Sequence, residues 1–258
     1  MADGAGNISV KESVSEEEWA ARVDLAALYR LVALNGWDDL IFTHISHRVP
    51  GPEHHFLINP YGFLFEEITA SCLVKVDLDG NIVQETEHNI NPAGFTIHSA
   101  LHMARDDANV VLHLHTDQGV AVSSQKHGLL PISQTAMIVM HDLAYHDYEG
   151  IALDHDERER IVADIGQKNS LLLRNHGTLT CGETAADAFN RMFFLERACN
   201  MQVMALSAGR ENLMECGDDL QKVVKSQSPK EGVAILSNFL IWPALKRKLD
   251  RTCPDYAT

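Results

Sequence analysis

The sequence predicts an α/β fold in which helices pack around a mixed central sheet. Two kinds of segment carry that prediction. Short apolar runs, above all 109–115, rich in β-branched residues, and 170–173, have the length and bounding turn residues of strands. Longer segments, above all 15–36 and 185–208, repeat apolar residues at helical spacing. The two kinds alternate through the middle of the chain, as they do where helices cover a sheet.

The elements follow in order. Residues 1–14 are small and polar and are expected to be a flexible segment. Ser15 and Glu18 have the spacing of a capping box, and Trp19, Val23, Ala26, Ala27, Leu31 and Leu34 mark one face of a helix that stops at Gly36. Short strands are expected over 41–49 and 55–59, with Pro50-Gly51 as the turn between them. Segment 76–83 contains Asp79-Gly80, a hairpin signal. A helix over 95–105 precedes the strand 109–115. A helix over 117–126, a short strand near Ile132 and a helix over 155–166 come next. The strand 170–173 then leads through Cys181-Gly182-Glu183 into the long helix 185–208. A polar stretch, 211–231, separates off a last amphipathic segment, 233–249, interrupted by Pro243.

With 258 residues and a hydrophobic share of 45%, the chain can build one substantial core. Its formal charge of -15 would repel phosphates, so neither nucleic acid nor an anionic membrane surface is expected as partner. The five cysteines include no close pair, which indicates free thiols rather than a disulfide framework or a cysteine zinc site. No stretch has the order of a signal peptide or the length of a membrane span, so a cytoplasmic location is expected.

The most specific motif is the pair His113 and His115. Positions i and i+2 on a strand point to one face, so two ring nitrogens can converge on one ion. His176, in Asn175-His176-Gly177 where the run 170–173 must stop, offers a third. Three neutral imidazoles suit a divalent metal: Zn2+ first, with Fe2+, Mn2+ and Co2+ also compatible.

These residues stand in segments that resemble the class II aldolase and adducin family. The resemblance covers about Trp19 to Gly209 and is carried by 91–101 (Asn91-Pro92-Ala93-Gly94 onward), His113-Leu114-His115-Thr116 and Leu173-Arg174-Asn175-His176-Gly177. Echoes lie at Thr43-His44-Ile45-Ser46, 56–62, 129–133 and 144–148. The likeness is to the adducin head and its bacterial relatives above all. It implies a three-layer α/β/α sandwich around a central mixed, largely antiparallel sheet, formed by residues 15–210. It also implies a homo-oligomer, tetramer or dimer, with sites near subunit boundaries. Residues 211–258 are then an extension whose amphipathic helix packs at a subunit interface.

The resemblance further implies that His113, His115 and His176 hold the metal. Three departures bear on activity. The position of the family's proton-transferring glutamate is Gly94 here; the two hydroxyl residues that help hold phosphate are Pro92 and Ala93; and the phosphate-contacting Gly-Asn pair is Thr43 and His44. A phosphate needs converging donors, and Pro92 lacks even a backbone N–H. An unphosphorylated small-molecule substrate is therefore expected.

His98, one helical turn beyond Gly94, can approach the same region as a general base, or serve as a structural helix histidine. Tyr145 is a second catalytic candidate, while Tyr61, Gln134 and His44 are candidate substrate contacts. Asp117 either orients His115 or caps the helix after it, with capping preferred. His141 and His146 can enter a pocket or lie in exposed loops, with the exposed loop preferred. The charged run 157–160 and Lys246-Arg247-Lys248 fit solvated helix faces. The functional expectation is a metal-dependent carbon–carbon lyase, by retro-aldol cleavage or decarboxylation, on a small hydroxy- or oxo-compound. The alternatives are a non-catalytic adducin-head-like assembly module, against which stands the lack of a long neck and basic tail after Thr258, and a non-haem iron oxygenase on the same fold.

Overall fold

Ser9 and Ser15 are the N-caps of the first two helices. The structure, a computed structural model, describes residues 9–150 and 157–258, with residues 92–96 as backbone alone. Helix α1 (Val10–Ser13) forms where the Glu12 carboxylate accepts from the Ser9 N–H and hydroxyl, so part of the segment expected to be flexible is helical. Residues 1–8 lie outside the described residues. Helix α2 (Glu16–Leu34) starts at Ser15, whose Oγ accepts from Glu18 N–H at 3.1 Å. Only that half of the expected capping box forms. Glu18 turns inward to Arg22 at 3.0 Å and Lys75 at 2.7 Å, because a fully buried guanidinium requires a partner.

Strands β1 (His44–Arg48) and β2 (Phe56–Ile58) are joined by residues 49–55, a longer connection with a 3-10 turn at Phe65–Glu67 leads to β3 (Val74–Val76), and the Asp79-Gly80 turn follows β3. Helix α3 (Pro92–Ala104), strand β4 (Val110–Leu114) and helix α4 (Asp117–Ser123) come next. Helix α5 (Gln134–Met140) and strand β5 (Leu143–His146) occupy a region expected to hold a short strand near Ile132 and loops. Ser133 caps α5 through Ala136 N–H at 3.0 Å, and a Ser before Gln-Thr-Ala-Met is a start signal that the β-branched Ile132 obscured. Helix α6 (Glu157–Ile165), strands β6 (Ser170–Leu173) and β7 (Gly177–Gly182), and the long helix α7 (Ala185–Leu206) complete the region. Residues 155 and 156 of the expected helix lie outside the described residues.

The seven strands form one sheet in the order β3-β2-β1-β4-β7-β6-β5. All neighbours are antiparallel except the parallel pair β5 and β6. Alternation along β4 builds two layers: Val110, Leu112 and Leu114 join the core under α2 and α7, while Val111 faces the core under α3 and α6. This is the α/β/α sandwich, with a mixed and largely antiparallel sheet.

Helices α8 (Asp218–Gln227), α9 (Lys230–Leu236) and α10 (Trp242–Thr252) follow. Pro243 does not end the last segment: Ser237–Ile241 widen into a π turn that absorbs the missing N–H and the ring clash, and the helix continues. Trp242, Leu249 and Tyr256 pack into the core beside α2, and Arg30 pairs with Asp255 at 2.7 Å. Among the described residues, no helix is long and apolar enough to cross a membrane.

Candidate metal centre

Sheet order explains why distant histidines meet. Strands β4 and β6 each run antiparallel to β7, so they run parallel to each other and end at the same edge of the sheet. Strand β1 is antiparallel to β4 and begins at that edge; β5 is parallel to β6 and ends there. His44, His113, His115, His146 and His176 are thereby gathered at one end.

The turn from β6 to β7 places His176. Asn175 takes a φ of 57°, a left-handed conformation that Asn tolerates better than most residues, and the next residue swings back over β4. Gly177 must be a glycine because a Cβ there would overlap the Leu114 carbonyl and approach Cδ2 of His115 to 3.2 Å. Leu40, at 51°, and Thr43, at 62°, also have positive φ. Positive φ thus occurs in both loops that deliver residues to the site, at Leu40 and Thr43 in one and at Asn175 in the other.

Ligand nitrogens of His113, His115 and His176 lie within 4.8 Å of one another. His113 is buried and the other two are half-buried. Nδ1 of His113 is 3.0 Å from the Thr178 carbonyl, and Nδ1 of His115 is 3.0 Å from Oδ2 of Asp39. Both partners are acceptors, so each Nδ1 carries the proton and each Nε2 presents a lone pair. Those two Nε2 atoms are 3.0 Å apart. Two facing lone pairs repel unless a cation sits between them, and nitrogens at tetrahedral zinc distances would stand about 3.3 Å apart. The donor set thus fits a divalent ion.

Burial, then charge on His176 and His115, holds the His113 imidazole well below its usual pKa; burial, then His115, brings His176 to about 4. Neutral imidazoles are the form that binds metal. Behind them, the buried Glu196 carboxylate accepts from the Thr116 and Thr178 hydroxyls, and burial raises its pKa. Thr116 also caps α4, accepting from Gly119 N–H at 3.0 Å. The capping role expected of Asp117 therefore belongs to its neighbour, and the orienting role belongs to Asp39.

A second group of imidazoles lies on the same sheet face. His44 is the register partner of His113, and its ring stands edge-on to His98 at 6.1 Å. Ser46 Oγ joins Nδ1 of His98 at 2.6 Å to Nε2 of His102 at 2.7 Å, while Nδ1 of His102 meets the Ala108 carbonyl at 2.8 Å. The carbonyl can only accept, so the chain has one direction: His102 donates to Ala108, Ser46 to His102, and His98 to Ser46. Nε2 of His98 is then a lone pair. It is buried without a hydrogen-bond partner, as is Nε2 of His44. Burial is the main cause that lowers His44 to about 4, His102 to about 3 and His98 well below the usual range.

Other predicted residues are placed elsewhere. The Tyr145 hydroxyl accepts from Leu129 N–H at 3.1 Å and its ring lies under Arg174. Tyr148 is the tyrosine beside the triad, its ring 6.3 Å from His176. Tyr61 is exposed after β2, and Gln134 is exposed at the start of α5. His146, assigned to an exposed loop, is buried on β5 and paired with Asp164 at 2.7 Å. The readings on the side chains of Pro92 and Ala93 lie outside the described residues. Sequence reasoning missed Asp39, Ser46, Glu196 and Tyr148; Ser46 stands two residues after His44 on one strand, so strand periodicity could have found it, whereas Asp39 and Glu196 carry no such signal.

The sequence model of the Class II Aldolase and Adducin N-terminal domain matches residues 23–203. A protein of Caulobacter vibrioides, named only at the level of aldolase class 2, is 64% identical over 258 residues, the whole of both chains. Mouse alpha-adducin is 47% identical over 212 residues, 81% of this chain and 29% of that protein. Among solved structures, an aldolase II superfamily protein from Pseudomonas syringae superposes with a TM-score of 0.91 at 52% identity, covering 97% of this chain and 100% of that one. An L-fuculose 1-phosphate aldolase from Glaciozyma antarctica superposes with a TM-score of 0.81 at 27% identity, covering 93% and 92%.

Proposed function

The chain belongs to the class II aldolase and adducin family, and on that premise we propose that it is a divalent-metal-dependent carbon–carbon lyase. Its substrate is a small unphosphorylated hydroxy- or oxo-compound, cleaved by retro-aldol reaction or decarboxylated. The observation that carries this reading is the opposition of two Nε2 lone pairs at 3.0 Å, with His176 beside them. His113, His115 and His176 would hold the ion, Zn2+ first. When bound, it supplies Lewis acidity to the carbonyl and hydroxyl oxygens of the substrate.

The chain's own residues supply the proton transfer. Nε2 of His98, kept as an acceptor by the bond from Nδ1 to Ser46, takes the proton of the substrate hydroxyl. The carbon–carbon pair passes to the carbon next to the carbonyl, and the same imidazole returns the proton there. Burial makes the imidazolium costly, but negative charge developing beside it offsets that cost. His44, neutral and directly opposite His113, is placed to orient a substrate oxygen. Thr43 and His44 bring no positive charge, which supports an unphosphorylated substrate.

The test is turnover of a panel of unphosphorylated hydroxy-oxo acids, read as released aldehyde or carbon dioxide, after reconstitution with Zn2+, Mn2+, Co2+ or anaerobic Fe2+. Turnover that requires metal and vanishes in a folded His113→Ala, His176→Ala variant is expected. Tight metal retention by that variant would place the ion elsewhere. Full occupancy without turnover would favour an assembly module, the second reading, which the identity with alpha-adducin and the absence of a side chain at Gly94 support. Oxygen consumption confined to the iron form would favour an oxygenase.

A further inference from the structure

The end of the sheet away from the triad also carries a concave surface. Opposite the triad, where β5 and β6 begin, a cavity of about 390 Å³ opens among α5, α7, α8 and α9. That volume lies in the range of small-molecule sites. Its wall carries four cations, Lys168, Arg191, Lys225 and Lys230, against one carboxylate, Asp142. In a chain of formal charge -15, such a concentration of positive charge is out of character.

The carboxylate is already engaged. Asp142 accepts from Asn169 Nδ2 at 2.8 Å and pairs with Lys230 at 3.0 Å and Arg191 at 3.8 Å. Lys168 is held by the His141 carbonyl, which orients its charge without neutralising it, and Arg191 donates to the Cys181 carbonyl at 2.7 Å besides its longer contact with Asp142. Lys225 makes no ion pair among the described residues. In the same wall, Nε2 of His141 is buried with no hydrogen-bond partner. Burial, then Lys225 beside it, holds that imidazole below its usual pKa, which records how closely the cations crowd it. Like charges converging on a concave surface focus a field that favours an anion. Phe194 and Val233 add apolar surface to the same cavity.

We propose that this cavity binds a small organic anion, a carboxylate or phosphate group on an apolar body, at a site separate from the metal centre. The cations hold the anionic group and the apolar wall takes the body. The site stands whether or not the lyase reading does.

The experiment is calorimetric titration of the intact protein at low salt with phenyl phosphate and with benzoate, set against inorganic phosphate and phenol. One-to-one binding of at least one organic anion with a Kd of about 1 mM or tighter is expected, about tenfold tighter than inorganic phosphate or phenol. The stronger of the two organic probes identifies the anionic group. Lys225→Glu should weaken that binding about tenfold or more, and Lys230→Gln should weaken it less because its charge is shared with Asp142. The His113→Ala, His176→Ala variant should bind as the parent does. The proposal is overturned if no probe saturates, if folded Lys225→Glu binds unchanged, or if binding is lost in the triad variant instead.

Discussion

Oδ2 of Asp39 lies 3.0 Å from Nδ1 of His115, a contact between residues 76 positions apart. The carboxylate fixes the tautomer of that imidazole and so aims its Nε2 at His113. Leu40, held at a φ of 51°, and the bridge between Asp39 and Phe42 keep the carboxylate in place.

Asp39→Ala should therefore weaken divalent-metal affinity by about 10- to 100-fold while leaving the fold intact. Competition with a chromophoric chelator measures the affinity, and circular dichroism checks the fold. Affinity equal to that of the parent would remove Asp39 from the centre.

His98→Ala should lower turnover by about 10²- to 10⁴-fold with metal occupancy nearly unchanged. Ser46→Ala, which frees the tautomer without removing the imidazole, should reduce kcat less. It should also shift the acidic limb of the pH profile, a change that simple loss of packing would not produce. An unaltered kcat in His98→Ala would eliminate the proposed proton route.

Stability of the metal-free protein should fall as pH falls below neutrality. His44, His98 and His102 stay neutral in the folded chain to values below 6.5, about 4 for His44 and about 3 for His102, whereas the unfolded chain protonates them near 6.5. Between those values the unfolded state holds more protons, so acid favours unfolding, and above about pH 7 these groups contribute no slope. Each adds at most about 1.4 kcal/mol per pH unit within the window. Urea midpoints at pH 7 and pH 5 test this; equal midpoints would mean that the imidazoles are hydrated in the fold.

Gly177→Ala should destabilise the protein by about 1–3 kcal/mol and weaken metal binding, because the new methyl must displace the Leu114 carbonyl and the His115 ring together. Thermal unfolding with and without Zn2+ separates the two effects. A smaller metal-dependent gain in Tm is expected for the variant, and a gain equal to the parent's would confine the damage to the fold.

Much of this was legible in the chain. The His113 and His115 pair announced itself because strand periodicity is local: two positions apart means one face. Asn175-His176-Gly177 was legible because turns have preferred residues. The helices α2 and α7 followed from their apolar spacing. Helix α5 and strand β5 did not, since both are short and their patterns overlap those of loops.

Residue types and local spacing by themselves pointed to the α/β class and to His113, His115 and His176 as a candidate metal site, while the departure at Gly94 was legible only through the family resemblance. Only the tertiary structure decided which groups complete the site. Sheet order set His44 opposite His113, packing of α3 on β1 joined His98 to Ser46, and two strained loops delivered Asp39 and His176. It also gathered Lys168, Arg191, Lys225 and Lys230 around one cavity. A hydrogen bond or a shared wall between residues tens of positions apart leaves no trace in local periodicity; it exists only once strand register and helix packing have brought the two segments together.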